Sequence, residues 1–221
     1  GDVTIIGDPK SQISEAYRNT RTNIQFSNLD DNLNVIAVTS SKSSEGKSTI
    51  ISNIGAAFGN LENKKVLIID CDLRNPSIHR MFGLSNVIGL TDVLIGNKTF
   101  KQCAQNTEVK NLKVLTTGNI PNNPAEILNS NRMRSFVEET KEHFDYVFID
   151  TPPIGIVSDA GIVSTYSDGM IIVAASNEVD DNVIKLVKER LVKVNAKIIG
   201  CILNKFDYKN HNKYEYYGYY Y

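Results

Sequence analysis

The sequence predicts an α/β fold, a mostly parallel sheet with helices on both faces. Three observations carry that prediction. Six short runs rich in Val, Ile, Leu and Phe, at residues 35–39, 65–70, 112–116, 146–150, 169–174 and 197–203, are near-continuously apolar rather than alternating. Strands buried on both faces read this way. Between them lie stretches with helical spacing at 48–61, 131–143 and 180–194, and strand–helix alternation builds parallel sheets. Two of the apolar runs end on aspartate, at Asp70 and Asp150, and ligands of such sheets bind beyond the carboxyl ends of the strands.

Residues 11–27 read as a leading helix before the first strand, and 207–213 are polar and turn-like. From Tyr214 onward six of eight residues are tyrosine: Tyr214, Tyr216, Tyr217, Tyr219, Tyr220 and Tyr221. The expected organisation is one domain over 1–207 and a flexible tyrosine-rich tail over 208–221. The 41% hydrophobic and 22% charged content of the 221 residues is that of an ordinary globular chain. A net charge of -1 argues against a general attraction to nucleic acid or anionic membrane. Cys71, Cys103 and Cys201 are dispersed, which fits reduced thiols in a cytosolic protein better than a disulfide framework. The three histidines are equally scattered and form no metal motif. Apolar runs such as 170–175 fall far short of the ~20 residues of a membrane span, and no leader precedes them. The expectation is a soluble chain that would need another molecule to hold it at a membrane.

The first apolar run leads into Ser41-Lys-Ser-Ser-Glu-Gly-Lys-Ser48 and then a helical stretch. This resembles the phosphate-binding P-loop GxxxxGK[ST], with Ser41 in the place of the first glycine. Backbone N–H groups of Ser43, Ser44, Glu45, Gly46, Lys47, Ser48 and Thr49, together with the helix start, can form an anion-binding concavity. Gly46 lets the backbone approach phosphate, Lys47 reaches the β- and γ-phosphates, and the Ser48 hydroxyl can bind Mg²⁺. Asp70 and Asp72, two apart at a strand end, would face one side if the extended geometry persisted. With Asp150 they supply carboxylates that suit Mg²⁺ organisation and proton acceptance from an attacking hydroxyl.

The run Asp70-x-Asp72-x-Arg74-x-Pro76, the segment Asp150-Thr-Pro-Pro153 and the tyrosine tail resemble the bacterial tyrosine kinases of capsular and exopolysaccharide synthesis, within the MinD/ParA-like P-loop ATPases. Residues 121–128, Pro-Asn-Asn-Pro-Ala-Glu-Ile-Leu, match that family's PPNPxELL segment, and Glu15, Arg18 and Arg21 match its ExxRxxR helix. The resemblance runs through the whole chain in order. It implies an ATP and Mg²⁺ site with Lys47, Asp70, Asp72 and Asp150 as catalytic residues and Ser48, Asp70, Asp72 and Asp150 around the metal. Either Asp70 or Asp72 would take the proton of a tyrosine hydroxyl. Arg74 would contact phosphate or brace the acidic loop, and Asn204 would lie near the base. Glu15, Arg18 and Arg21 would dock on a neighbouring subunit and close a homo-oligomeric ring, each tail entering the next active site for autophosphorylation. A separate transmembrane activator, a polysaccharide co-polymerase, would recruit the cytoplasmic chain to the inner membrane face. Substrates would be protein tyrosines, and nucleic acid is not an expected partner.

Rival readings come from other residues. Asn204-Lys-Phe-Asp207 matches the guanine-reading NKxD, although ATP is favoured. Lys42 stands where MinD/ParA ATPases carry a second P-loop lysine, but Ser43 and Ser44 replace that group's paired glycines. A non-catalytic binding module is opposed by the retention of Lys47, Ser48 and all three aspartates.

Overall fold

A computed structural model describes residues 3–28, 32–154, 158–176 and 178–206. Seven strands are described: β1 (Val35–Ser40), β2 (Val66–Asp70), β3 (Gln105–Asn106), β4 (Leu112–Leu115), β5 (Tyr146–Asp150), β6 (Gly169–Ala175) and β7 (Ile198–Asn204). They form one sheet in the order β3-β4-β2-β5-β1-β6-β7. Every pairing is parallel except β3 with β4. The two-residue antiparallel β3 was not legible as a strand, being too short and polar for any periodic signal. The six expected strands all form, with ends shifted by one residue at most.

The helices begin with α1 (Thr4–Gly7), α2 (Gln12–Ser27), α3 (Lys47–Gly59), α4 (Ile78–Met81) and α5 (Leu90–Ile95). There follow α6 (Phe100–Cys103), α7 (Pro124–Leu128), α8 (Asn131–His143), α9 (Asp159–Ser164) and α10 (Asp181–Lys193). The leading helix α2 starts at Ser11, whose hydroxyl accepts the Ser14 N–H at 3.2 Å as an N-cap.

Alternation along the central strands divides their side chains between two cores. Ala37, Leu67, Ile69, Val147, Ile149 and Ile172 face one core, closed by residues of α8, α9 and α10. Ile36, Val38, Ile68, Phe148, Ile171 and Val173 face the other, closed by α3. Helix α3 is buried along almost its whole length, so its apolar residues are not confined to one stripe. The parallel register sets Asp70 of β2 beside Asp150 of β5, and Val38 of β1 beside Asp150. The acidic strand ends and the loop after β1 therefore meet at one edge. The tail residues 208–221, together with Asp207, lie outside the described residues.

Candidate nucleotide site

The loop from Ser41 to Gly46 turns tightly, with φ of 66° at Ser44 and 84° at Gly46. Left-handed backbone suits glycine and strains serine, so the loop needs support from side chains. Glu45 provides part of it. Its carboxylate is buried and accepts the Ser41 N–H at 2.7 Å and the Lys42 N–H at 2.9 Å, with the Ser41 hydroxyl at 2.8 Å. The expectation that Glu45 presents itself to the nucleotide holds at most for its backbone, because the side chain is committed to the start of the loop. The other loop residues, Ser43, Ser44, Gly46, Lys47, Ser48 and Thr49, line a cleft of about 290 Å³.

Behind the loop is a buried charge cluster. Lys47 Nζ bonds to Asp150 Oδ1 and stands 3.7 Å from Asp72 Oδ2. The Ser48 hydroxyl donates to Asp150 Oδ2 at 2.8 Å, and the Ser77 hydroxyl donates to Ser48 Oγ at 2.7 Å. Burial pushes the Lys47 ammonium towards losing its proton, yet Asp150 and Asp72 outweigh this and raise its pKa. Burial raises the Asp72 pKa, against the pull of Lys47. Asp70 is pushed up to about 7, first by burial and then by the Asp150 charge. One lysine faces three carboxylates, so the cluster is short of positive charge whenever the acids ionise. Its donor set of carboxylate and hydroxyl oxygens is of the kind Mg²⁺ takes, with phosphate and water completing the shell.

The four residues expected around the metal stand differently in the structure. Among the described residues no three His, Cys, Asp or Glu side chains gather into a metal-holding group. Strand β2 ends at Asp70, so the extended path that would have aimed both acids one way stops there. The Asp70 carboxylate is fully buried and accepts N–H groups of Asp72 at 3.2 Å and of Ser77 and Ile78 at 3.0 Å. It organises the 70–78 loop from behind, while Asp72 lines the cleft. Ser48, Asp72 and Asp150 remain as the residues that can serve Mg²⁺.

Arg74 also lines the cleft, and its guanidinium grips the buried Asp159 carboxylate through Nε at 2.9 Å and Nη2 at 3.3 Å. Bracing is thus the role its contacts display. Asn204 donates from Nδ2 to the Glu45 carbonyl at 2.9 Å, so its amide faces the loop. Ser77 and Asp159 were missed by sequence reasoning. Ser77 carried a faint signal, lying one residue beyond the Asp70–Pro76 run, whereas Asp159 carried none beyond its place at the start of a short helix.

The charged stripe on α2 is not brought to the site. Arg18 Nη1 pairs with Glu15 at 2.8 Å and Nη2 bonds to the Pro9 carbonyl. Arg21 Nη1 donates to the Ala57 carbonyl of α3 at 3.0 Å, tying α2 to its own subunit.

Similarity to known proteins follows the same lines. The sequence model of the ParA family, described as NUBPL iron-transfer P-loop NTPase, matches residues 32–218. The chain is 40% identical over 217 residues to the tyrosine-protein kinase YwqD of Bacillus subtilis (strain 168), covering 98% of this chain and 91% of that protein. Against the kinase domain of the Escherichia coli tyrosine kinase ETK it superposes with a TM-score of 0.90 at 30% identity, covering 99% of this chain and 84% of that one. Against the MinC:MinD cell division complex of Aquifex aeolicus the TM-score is 0.66 at 28% identity, with 80% and 70% covered.

Proposed function

Because the chain belongs to the bacterial tyrosine kinase family, within the ParA/MinD-like P-loop NTPases, we propose that it is an ATP-dependent protein-tyrosine kinase. The observation that carries this reading is the junction of the phosphate loop with Asp72 and Asp150, where Lys47 is held between two carboxylates at the wall of an open cleft. Lys47 exchanges part of its contact with Asp150 for the β- and γ-phosphates. Ser48 and Asp150 would hold Mg²⁺, which would supply charge neutralisation for the transferring phosphoryl group. Asp72 is the proton acceptor for the tyrosine hydroxyl. It reaches the cleft, and its pKa is raised by burial, which makes it a stronger base. Asp70 is set aside for that role because it is fully buried and, unlike Asp72, does not line the cleft.

The acceptor tyrosines we assign to residues 214–221 of a second copy, and the pathway to capsular or exopolysaccharide synthesis. Phosphate adds about -1.5 to -2 per tyrosine, so six would add roughly -9 to -12. Such charge would drive tails apart and open a ring of subunits. Arg18 and Glu15 are the ring-closing contacts in this scheme, and a membrane-spanning activator is the recruiting partner.

The match to the ParA family model favours a second reading, an ATPase that hydrolyses without transfer. Following ADP release and phosphotyrosine together separates the two. Phosphotyrosine formed in step with ADP and lost in Asp72→Asn supports the kinase. ADP release with no phosphotyrosine supports the ATPase.

A further inference from the structure

Building on the nucleotide-site reading, we propose that Asn204 is a positioning residue for the phosphate loop, acting through the Glu45–Gly46 peptide, so that it sets affinity for polyphosphate whatever the base. The Glu45 carbonyl can only accept a hydrogen bond, so the Asn204 amide must present its NH₂ group to it; the bond is 2.9 Å long. The peptide is planar and trans, as are all the described peptide bonds. In a trans peptide the C=O and the N–H of the same unit point in opposite directions. Holding the Glu45 carbonyl outward, towards β7, therefore aims the Gly46 N–H the other way, and Gly46 lines the cleft. One side chain on a neighbouring strand thus fixes the direction of a backbone donor for phosphate.

Asn204 is itself held firmly. It ends β7 in register with Ala175 of β6, and its carbonyl accepts the Ser176 N–H at 2.8 Å. The amide is packed so closely on the loop that a Cβ on Gly46 would fall 2.1 Å from Asn204 Nδ2. Glycine is required at position 46 twice over, for its φ of 84° and for this approach. The arrangement also answers the sequence's departures from glycine at 41 and 44. The Glu45 carboxylate braces the entry of the loop and Asn204 braces its exit, so side chains supply the order that a self-folding glycine loop would otherwise need.

The contact acts through a backbone N–H, and every nucleotide brings phosphate to it. Adenine, guanine or no base at all should then respond alike. The test is calorimetric titration of wild type, Asn204→Ala and Asn204→Asp with the Mg²⁺ complexes of ATP, GTP and inorganic tripolyphosphate. The aspartate is isosteric but cannot donate in its ionised form, which covers the case of a truncation that disturbs β7. Both variants should weaken all three ligands by a common factor, about three- to tenfold for Ala, the range of one lost hydrogen bond. Losing the same bond in the ligand-free protein should lower its stability by about 1 kcal/mol or less, so both variants stay folded under the titration conditions. A loss confined to ATP would make Asn204 a base contact and overturn the proposal, as would unchanged affinity for all three. Failure of the wild type to bind any of the three would instead remove the nucleotide-site reading on which the proposal stands.

Discussion

At the carboxyl edge of the sheet, Lys47, Asp72 and Asp150 are buried and bonded to one another. On α2, Glu15 and Arg18 pair with each other at the surface while Arg21 bonds to α3. Both regions are charge patterns that stand out in the sequence. In the first, the charges are largely withdrawn from water and depend on protein partners. In the second, water competes for each group, and an ion pair is worth little on its own. The buried cluster therefore implies its chemistry from within one subunit. The stripe acquires a role only when another surface covers it.

The comparison is most exposed to failure at Asp150. Asp150→Ala removes the carboxylate that Lys47 bonds to directly but leaves Asp72 beside it and relieves the repulsion on Asp70, so it should cost about 1–3 kcal/mol in urea unfolding. A loss below about 1 kcal/mol would put the cluster on the same footing as a surface pair.

Next in size is a pH effect at Asp70, whose pKa is pushed from 3.8 up to about 7 by burial and the Asp150 charge. Between these values the folded protein keeps a proton that the unfolded chain releases, so stability falls as pH rises through that window. The slope reaches at most about 1.4 kcal/mol per pH unit for one proton. Unfolding of the ligand-free protein, followed from about pH 4 to 7, should show this slope in wild type and a flatter line in Asp70→Asn. Equal slopes would place the proton elsewhere.

On α2 the effects are smaller and differ between neighbours. Arg21→Ala loses the bond to the Ala57 carbonyl and should cost about 1 kcal/mol. Arg18→Ala should move stability by no more than about 0.5 kcal/mol. Its informative readout is mass in solution. A smaller assembly than wild type supports the ring contact, and an unchanged one removes Arg18 from it.

Most of the fold could be read from the sequence because the strands are buried on both faces and so are written as continuous apolar runs. Helix α3 was legible through the loop that starts it, and α8 matched from Asn131 to His143. The short elements α4, α5, α6 and α9 span six residues or fewer, too few for a helical period to register. At the site, Lys47 and Ser48 were fixed by spacing, but the division of labour between Asp70 and Asp72 was not. It depends on where β2 stops and on backbone N–H groups of residues 77 and 78 that fold back onto Asp70. The pairing of Arg74 with Asp159, 85 residues apart, was likewise invisible to local pattern.

The central claim is phosphoryl transfer from ATP to tyrosine by the Lys47 cluster. Its most direct test is intact mass of phosphatase-treated protein after incubation with Mg²⁺ and ATP, beside GTP and beside Lys47→Met. The account predicts several phosphate-mass steps with ATP that map to residues 214–221, little change with GTP, and none in the variant. Nucleotide consumed with no gain in mass, or equal steps in Lys47→Met, would contradict it.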